Sequence, residues 1–241
     1  MTKVLVALGV VVALFAGIWA YSAWSQEQPM VVLEDGKAVT GGITMKTVPM
    51  TSDRTMTAGT HQADVEESEI DWEAGKPAIA GYVHHGTFAL RSGEVTLTGD
   101  QLTGEFVIDV DSLQVTSLGG GKAGQESTLE GHLKGERFFD VANNPTATFK
   151  ITKVEPQILP GPGQAEYTAT GELTMKGKTN EVTFPMKVVV DGDEKVYVTA
   201  NLEIDRTKWG IDFGSVTVAE KITENIIGDS VKLDLKIWLT K

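Results

Sequence analysis

Four histidines, His61, His84, His85 and His132, and no cysteine are what this 241-residue chain offers to a metal ion or a nucleophile. The missing cysteines remove disulfides, thiolate chemistry and Cys-ligated metal sites together, and they suit either redox compartment. His84 and His85 are adjacent, so in a strand they point to opposite faces and at most one enters an interior. Without an H-x-H or H-x3-H spacing beside them, no metal site is predicted. Gly119 to Gly124 spells the letters of a dinucleotide fingerprint, and Gly177-Lys178-Thr179 imitates the end of a phosphate-binding loop. The first needs a βαβ setting with a helix opening directly behind it, and the second needs a glycine one residue nearer than Gly171. They read as a loop and a turn. There is no G-x-S-x-G elbow, and the separation of the many carboxylates in space is not a property of sequence, so no catalytic residue and no cofactor are assigned.

The elements that must position such residues are strands. Leu102, Gly104, Phe106, Ile108 and Val110 alternate with Thr103, Glu105, Val107, Asp109 and Asp111, the period of a strand with one buried face. The same alternation runs through 148–151, 167–175, 182–190, 196–204 and 231–239, with turn chemistry at Ser92-Gly93, Gly99-Asp100, Lys176-Gly177-Lys178 and Asp191-Gly192-Asp193. About eight antiparallel strands with one apolar face each close into a barrel or pack as a sandwich, and periodicity does not choose between them. Ser127 with Glu130 makes a capping box for one short helix that puts Leu129, His132 and Leu133 on one face; Val218, Ile222 and Ile226 suit a second. Gly93-Glu94-Val95-Thr96-Leu97-Thr98-Gly99 resembles Gly171-Glu172-Leu173-Thr174-Met175-Lys176-Gly177, the same hairpin grammar used twice.

Subtracting 33 acidic from 21 basic side chains gives a formal charge of −12, which argues against nucleic acid as a partner. From Val4 to Trp24 the chain carries 21 residues without a charge, behind Lys3. That length spans the roughly 30 Å of a hydrocarbon core as a helix. Trp19, Tyr21 and Trp24 suit an interfacial anchor, whereas Ala20-Tyr21-Ser22 suits a cleaved signal. Residues 1–25 are therefore expected to be an anchor or signal with a hydrophobic helix, 26–57 a spacer, and 58–241 an exported all-β domain. Met30, Met45, Met50 and Met56, scattered through polar sequence, are weak support for metal capture. The bulky groups Phe88, Phe106, Phe149, Leu173, Phe184, Leu202, Trp209, Phe213 and Leu235 are compatible with an apolar cavity and equally with a solid core.

Several stretches resemble the YceI-like family of polyisoprenoid- and lipid-binding proteins. They begin at Asp64-Val65-Glu66-Glu67-Ser68-Glu69-Ile70-Asp71-Trp72 and continue through Lys76, His84-His85-Gly86-Thr87-Phe88 and the run from Gly104 to Leu113. The most specific is Leu129-Glu130-Gly131-His132-Leu133-Lys134-Gly135-Glu136-Arg137-Phe138-Phe139-Asp140-Val141, followed by Asn144-Pro145-Thr146-Ala147-Thr148-Phe149. The stretches 171–179 and Asp205-Arg206-Thr207-Lys208-Trp209-Gly210-Ile211 complete the series, in order, over nearly all of 58–241. The resemblance implies a lipocalin-like antiparallel barrel in the bacterial cell envelope, without catalytic activity, whose apolar tunnel takes a long isoprenoid such as a quinone or polyprenyl lipid. On that basis Phe88, Phe106, Ile108, Phe149, Leu173, Phe184, Leu202 and Trp209 are expected to line the tunnel. His85, His132 and Arg206 are expected near a head group. Residues 4–24 would meet the membrane, and a homodimer is compatible with the sequence. Two features depart from the family pattern: the long apolar run with its spacer, and the Gly119–Gly124 loop. The alternative from another class is a structural or protein-interaction β-domain with a solid core.

Overall fold

The computed structural model describes residues 56–157, 166–191, 195–217 and 226–241, with the backbone of two short strands near the N-terminus. Those two, β1 (Leu33–Glu34) and β2 (Lys37–Ala38), pair antiparallel within a unit spanning residues 1–49. The apolar run 4–24 and most of the expected second helix, with Val218 and Ile222, lie outside the described residues. Among the described residues no helix is long and apolar enough to cross a membrane.

The unit spanning 50–241 carries β3 (Gly59–Ala63), β4 (Glu69–Gly75), β5 (Val83–Thr98), β6 (Gln101–Leu118), helix α1 (Glu126–Lys134), β7 (Thr146–Pro156), β8 (Tyr167–Met175), β9 (Lys178–Asp191), β10 (Lys195–Asp205), a 3-10 turn (Arg206–Trp209) and β11 (Ser230–Thr240). From β5 to β11 each strand pairs antiparallel with the next in sequence, and β11 then pairs with β3 and β4, both of which pair with β5. β3 and β4 share one place in the wall. Eight places therefore close a ring among the described residues, an all-β antiparallel barrel with no edge strand left to pair with another chain. Closure decides the barrel against the sandwich.

The joint between β3 and β4 is built from polar side chains. Asp64 Oδ1 accepts the amides of Glu66 and Glu67 at 3.1 Å, an Asx turn that ends β3. Ser68 Oγ then accepts the Trp238 amide at 3.0 Å, and the Asp64 amide donates to the Trp238 carbonyl at 2.9 Å, which stitches the joint to β11.

The alternation predicted for 102–110 is present, and β6 continues to Leu118 by changing phase. Val110, Leu113 and Val115 are all buried, a spacing that strict alternation forbids. Ser112 Oγ donates to the Asp109 carbonyl at 2.6 Å and accepts the Ala89 amide at 2.8 Å, and Asp109 Oδ1 accepts the Asp111 amide at 3.1 Å. This bulge turns the strand by one residue and keeps its apolar face inward along the whole length. Helix α1 forms where expected, but its capping differs. Gln125 stands at the N-cap without a side-chain hydrogen bond, Ser127 lies inside the first turn, and Glu130 Oε1 accepts the Val115 amide at 2.8 Å instead. A carboxylate in the first turns thus serves a strand amide, tying the helix to the barrel. Leu129 and Leu133 pack against Trp72, Leu113 and Val115.

Candidate functional site

The inward faces of the strands enclose a cavity of about 260 Å³ that runs the length of the barrel. Met56, Leu90, Val95 and Leu102 line one end; Leu133, Phe138, Phe139, Ile211, Ile227 and Arg206 line the other. Among its described lining residues every side chain is apolar except that of Arg206, with Gly228 contributing backbone. Mid-barrel residues such as Phe149, Leu202, Leu233 and Leu235 face inward yet remain only half-buried. Interiors normally pack to the density of organic crystals, so inward apolar groups that keep accessible surface mark a lumen the side chains do not fill. An apolar lumen of this kind is a site for an apolar ligand.

Its bore depends on small residues that the sequence reading overlooked. Ala147, Ala169 and Ala200 line it at inward positions and are nearly fully buried, where a solid core would carry larger groups. The two similar stretches at 93–99 and 171–177 serve the same purpose. A Cβ on Gly93 would stand 2.4 Å from Phe106 Cδ1, and one on Gly171 would stand 2.5 Å from both Phe149 Cε2 and the Lys150 carbonyl oxygen. Each glycine lets a ring from the neighbouring strand lie against the wall. Gly171→Ala is expected to destabilise the barrel by about 1–3 kcal/mol, because the carbonyl cannot retreat and Phe149 must move into the lumen. A urea midpoint unchanged from wild type would refute that packing role.

Seven of the eight expected lining residues, Phe88, Phe106, Ile108, Phe149, Leu173, Phe184 and Leu202, are brought to the lumen wall. Trp209 is not. It is 1% exposed behind the wall and its indole N–H donates to the Leu173 carbonyl at 2.9 Å, which makes it a strut between the 3-10 turn and β8. Of the head-group candidates, His85 lies on the outer face, half-exposed and 4.0 Å from Glu73, which Lys232 also engages at 2.8 Å. The adjacent His84 takes the inward phase opposite Ala74 and packs edge-on against Tyr82 at 4.7 Å. Adjacent strand residues must diverge in this way, and their identical chemistry hid which one turned in. His132 is exposed on α1, because Leu129 and Leu133 take the packed face.

Arg206 does reach the lumen, but its guanidinium is already engaged. Nε donates to the Gly228 carbonyl at 2.9 Å, Nη1 to the Ile211 carbonyl at 2.6 Å, and Nη2 to the Ile227 carbonyl at 3.2 Å and Asp229 Oδ1 at 3.4 Å. Asp229 in turn accepts the amides of Val216 and Thr217 and, at 2.6 Å, the Thr217 hydroxyl. Burial pushes the Asp229 carboxyl up, yet hydrogen bonds from Thr217 and Ser215 with the charge of Arg206 outweigh it and hold the group below the usual aspartate range. A depressed carboxyl pKa stabilises the fold above the unfolded value, and that contribution is lost as pH falls through the folded value. The difference in thermal midpoint between wild type and Asp229→Asn is therefore expected to be largest near neutral pH and to shrink on acidification below the ordinary aspartate range. A difference independent of pH would show that ionisation of Asp229 carries none of it.

The chain matches the YceI-like domain family over residues 61–239. It is 29% identical over 143 residues to the UPF0312 proteins of Pseudomonas aeruginosa, covering 57% of this chain and 69% of the relative. Among solved structures, the barrel is similar to BcnA of Burkholderia cenocepacia, with TM-score 0.53 at 22% identity over 73% of this chain and 98% of that one. It is also similar to a polyisoprenoid-binding domain from Saccharophagus degradans implicated in plant cell wall breakdown, with TM-score 0.54 at 17% identity over 76% of this chain and 99% of that one.

Proposed function

The chain belongs to the YceI-like domain family, and from that membership and its hollow apolar barrel we propose that it binds a long-chain isoprenoid lipid of quinone or polyprenyl type in the lumen. The observation that carries this reading is the continuous apolar lining broken by a single, fully engaged charged side chain. Each CH2 moved from water into such a lining contributes roughly 0.8 kcal/mol, so a long chain binds well without elaborate polar recognition. The protein acts by holding and releasing this cargo rather than by catalysis. It works outside the cytoplasm, tethered through residues 4–24, and the spacer 26–57 sets how far the barrel reaches from the membrane. The polyisoprenoid-binding neighbour from Saccharophagus degradans, alike in fold, is compatible with this assignment.

Native mass spectrometry of the full chain, followed by organic extraction, tests it. A polyprenyl or quinone species released at near one-to-one stoichiometry is the expected result. Protein that carries no lipid and takes up no added isoprenoid would overturn the proposal in favour of an interaction module whose lumen is a packing defect.

A further inference from the structure

At the end of the lumen opposite α1 the barrel wall runs out before the chain does. β11 ends at Thr240, whose neighbour in the wall is Gln62, and β5 ends at Thr98, one residue past the Leu97 that partners Gly59. A strand continued in the N-terminal direction from Gly59 would therefore leave the barrel. Instead the chain turns back: Met56 lines the lumen and packs against the buried cluster that contains Leu90 and Val95, while Thr57 and Ala58 stay exposed. Gly59 makes the turn with a φ of 124°, a conformation that residues with a Cβ rarely adopt. Space is not what demands glycine there, since an added Cβ would meet only Lys241 Cε, at 3.5 Å. His61 holds the turn. It stands opposite Val95 on β5, is fully buried, and its Nε2 donates to the Thr57 carbonyl at 2.9 Å. A carbonyl only accepts, so this bond fixes the tautomer and leaves Nδ1 a buried acceptor with no partner among the described residues. A phenyl ring would fill the same site without stranding a nitrogen, so what the imidazole adds is one hydrogen bond to the chain four residues back.

We infer that residues 56–59 are a strap across this end of the lumen, latched by the His61–Thr57 hydrogen bond, and that the cargo enters and leaves beneath it. The inference rests on the lipid-binding reading for its cargo and stands apart from it for the strap itself. One neutral hydrogen bond, offset by the unpaired Nδ1, makes a latch weak enough to open without unfolding β3, whose own pairs with β5 begin at Gly59. Opening exchanges the contacts of one methionine with the lumen for water, and an isoprenoid that reaches this end covers the apolar surface Met56 leaves. The opposite end has far more to break. There Glu130 ties α1 to β6, Leu129 and Leu133 pack on Trp72, Leu113 and Val115, and Arg206 holds three carbonyls. His61 is a positioning residue: it acts on Met56 through Thr57 and does not itself line the lumen.

The chain has no cysteine, so one introduced thiol reports the strap. In the full chain freed of lipid, Met56→Cys is expected to react with a maleimide at least about tenfold more slowly than Ala58→Cys, whose side chain is exposed on the same strap. Adding His61→Phe is expected to speed labelling at position 56 about fivefold, the worth of one ordinary hydrogen bond, and to leave position 58 within about twofold. His61→Gln, whose amide can donate to the same carbonyl, is expected to restore part of the protection, which loss of a ring alone would not. Gly59→Ala strains the turn without touching His61 and is expected to raise labelling at position 56 in the same way, which keeps the test decisive if His61→Phe folds poorly. Equal labelling at the two positions, or neither His61→Phe nor Gly59→Ala changing position 56 in folded protein, would overturn the strap. Passage of cargo is read separately, in the cysteine-free chain preloaded with a short-tailed ubiquinone, as tryptophan fluorescence recovers while excess phosphatidylcholine vesicles draw the quinone out. His61→Phe is expected to speed that recovery about fivefold with no fall in the urea midpoint. An unchanged recovery despite faster labelling would overturn this end as the passage. Wild type that takes up no quinone would overturn the lipid reading, while the labelling rates still decide the strap.

Discussion

Phe149→Asp is expected to empty the barrel: if the lumen binds isoprenoid as proposed, protein recovered with this substitution is expected to carry none and take up none, against an expected one lipid per chain in wild type. Phe149 lies on β7 with its ring 5.5 Å from that of Phe184, among lumen residues that offer a carboxylate no partner. An ionised carboxylate there costs several kcal/mol unless water follows it in, and a hydrated lumen no longer rewards an isoprenoid for leaving the membrane. Ala200→Phe tests the same site without charge. Ala200 is 4% exposed and lines the lumen beside Phe184 and Met186, so a phenyl ring there takes up space the ligand needs. Unfolding in urea shows whether each variant keeps the barrel, and native mass spectrometry reads the cargo. Undiminished lipid in folded Ala200→Phe protein would mean that the lipid does not occupy this lumen.

The largest loss of stability is expected from Arg206→Met. Removing the guanidinium strips donors from three carbonyls, those of Ile211, Ile227 and Gly228, and leaves the Asp229 carboxylate without its cation. Breaking a buried charge pair from one side typically costs about 3–5 kcal/mol, a large part of the roughly 5–15 kcal/mol that holds a domain together. The thermal midpoint should fall by about 10 °C in a chain of this size. Arg206→Lys should recover little, because an ammonium cannot reach several divergent acceptors as a planar fork does. Adding Asp229→Asn to Arg206→Met should recover part of the loss by removing the stranded charge. A loss under about 1 kcal/mol for Arg206→Met would show that water replaces the side chain and that the ends of β10 and β11 hold together without it.

Much of the barrel is legible in the residues. Period-two runs mark β6 to β11, the Gly177 and Gly99 turns close their hairpins, and the order of the stretches from Asp64 to Ile211 marks the family. Such features are local, because side-chain alternation and turn conformation are set within a few residues. Most of the lumen wall follows from them: Phe106, Ile108, Phe149 and Phe184 face inward because their strands are long enough to hold a phase.

What tertiary structure decided is whatever depends on a neighbour distant in sequence. His84 rather than His85 turns inward because β4 sets the register of β5. Trp209 leaves the wall because a carbonyl on β8 takes its N–H, and Arg206 spends donors on the carbonyls of Ile227 and Gly228, 21 and 22 residues away. Glu130 abandons a helix cap for a strand amide that only the folded barrel brings within reach. The hollow centre itself is of this kind. The same apolar residues would fill a solid core if the wall were narrower, and the circumference is set by eight places closing on one another, with β3 and β4 sharing one of them. Composition supplied an apolar interior and a phase for each strand, while closure of the ring determined that the interior stays open to a guest.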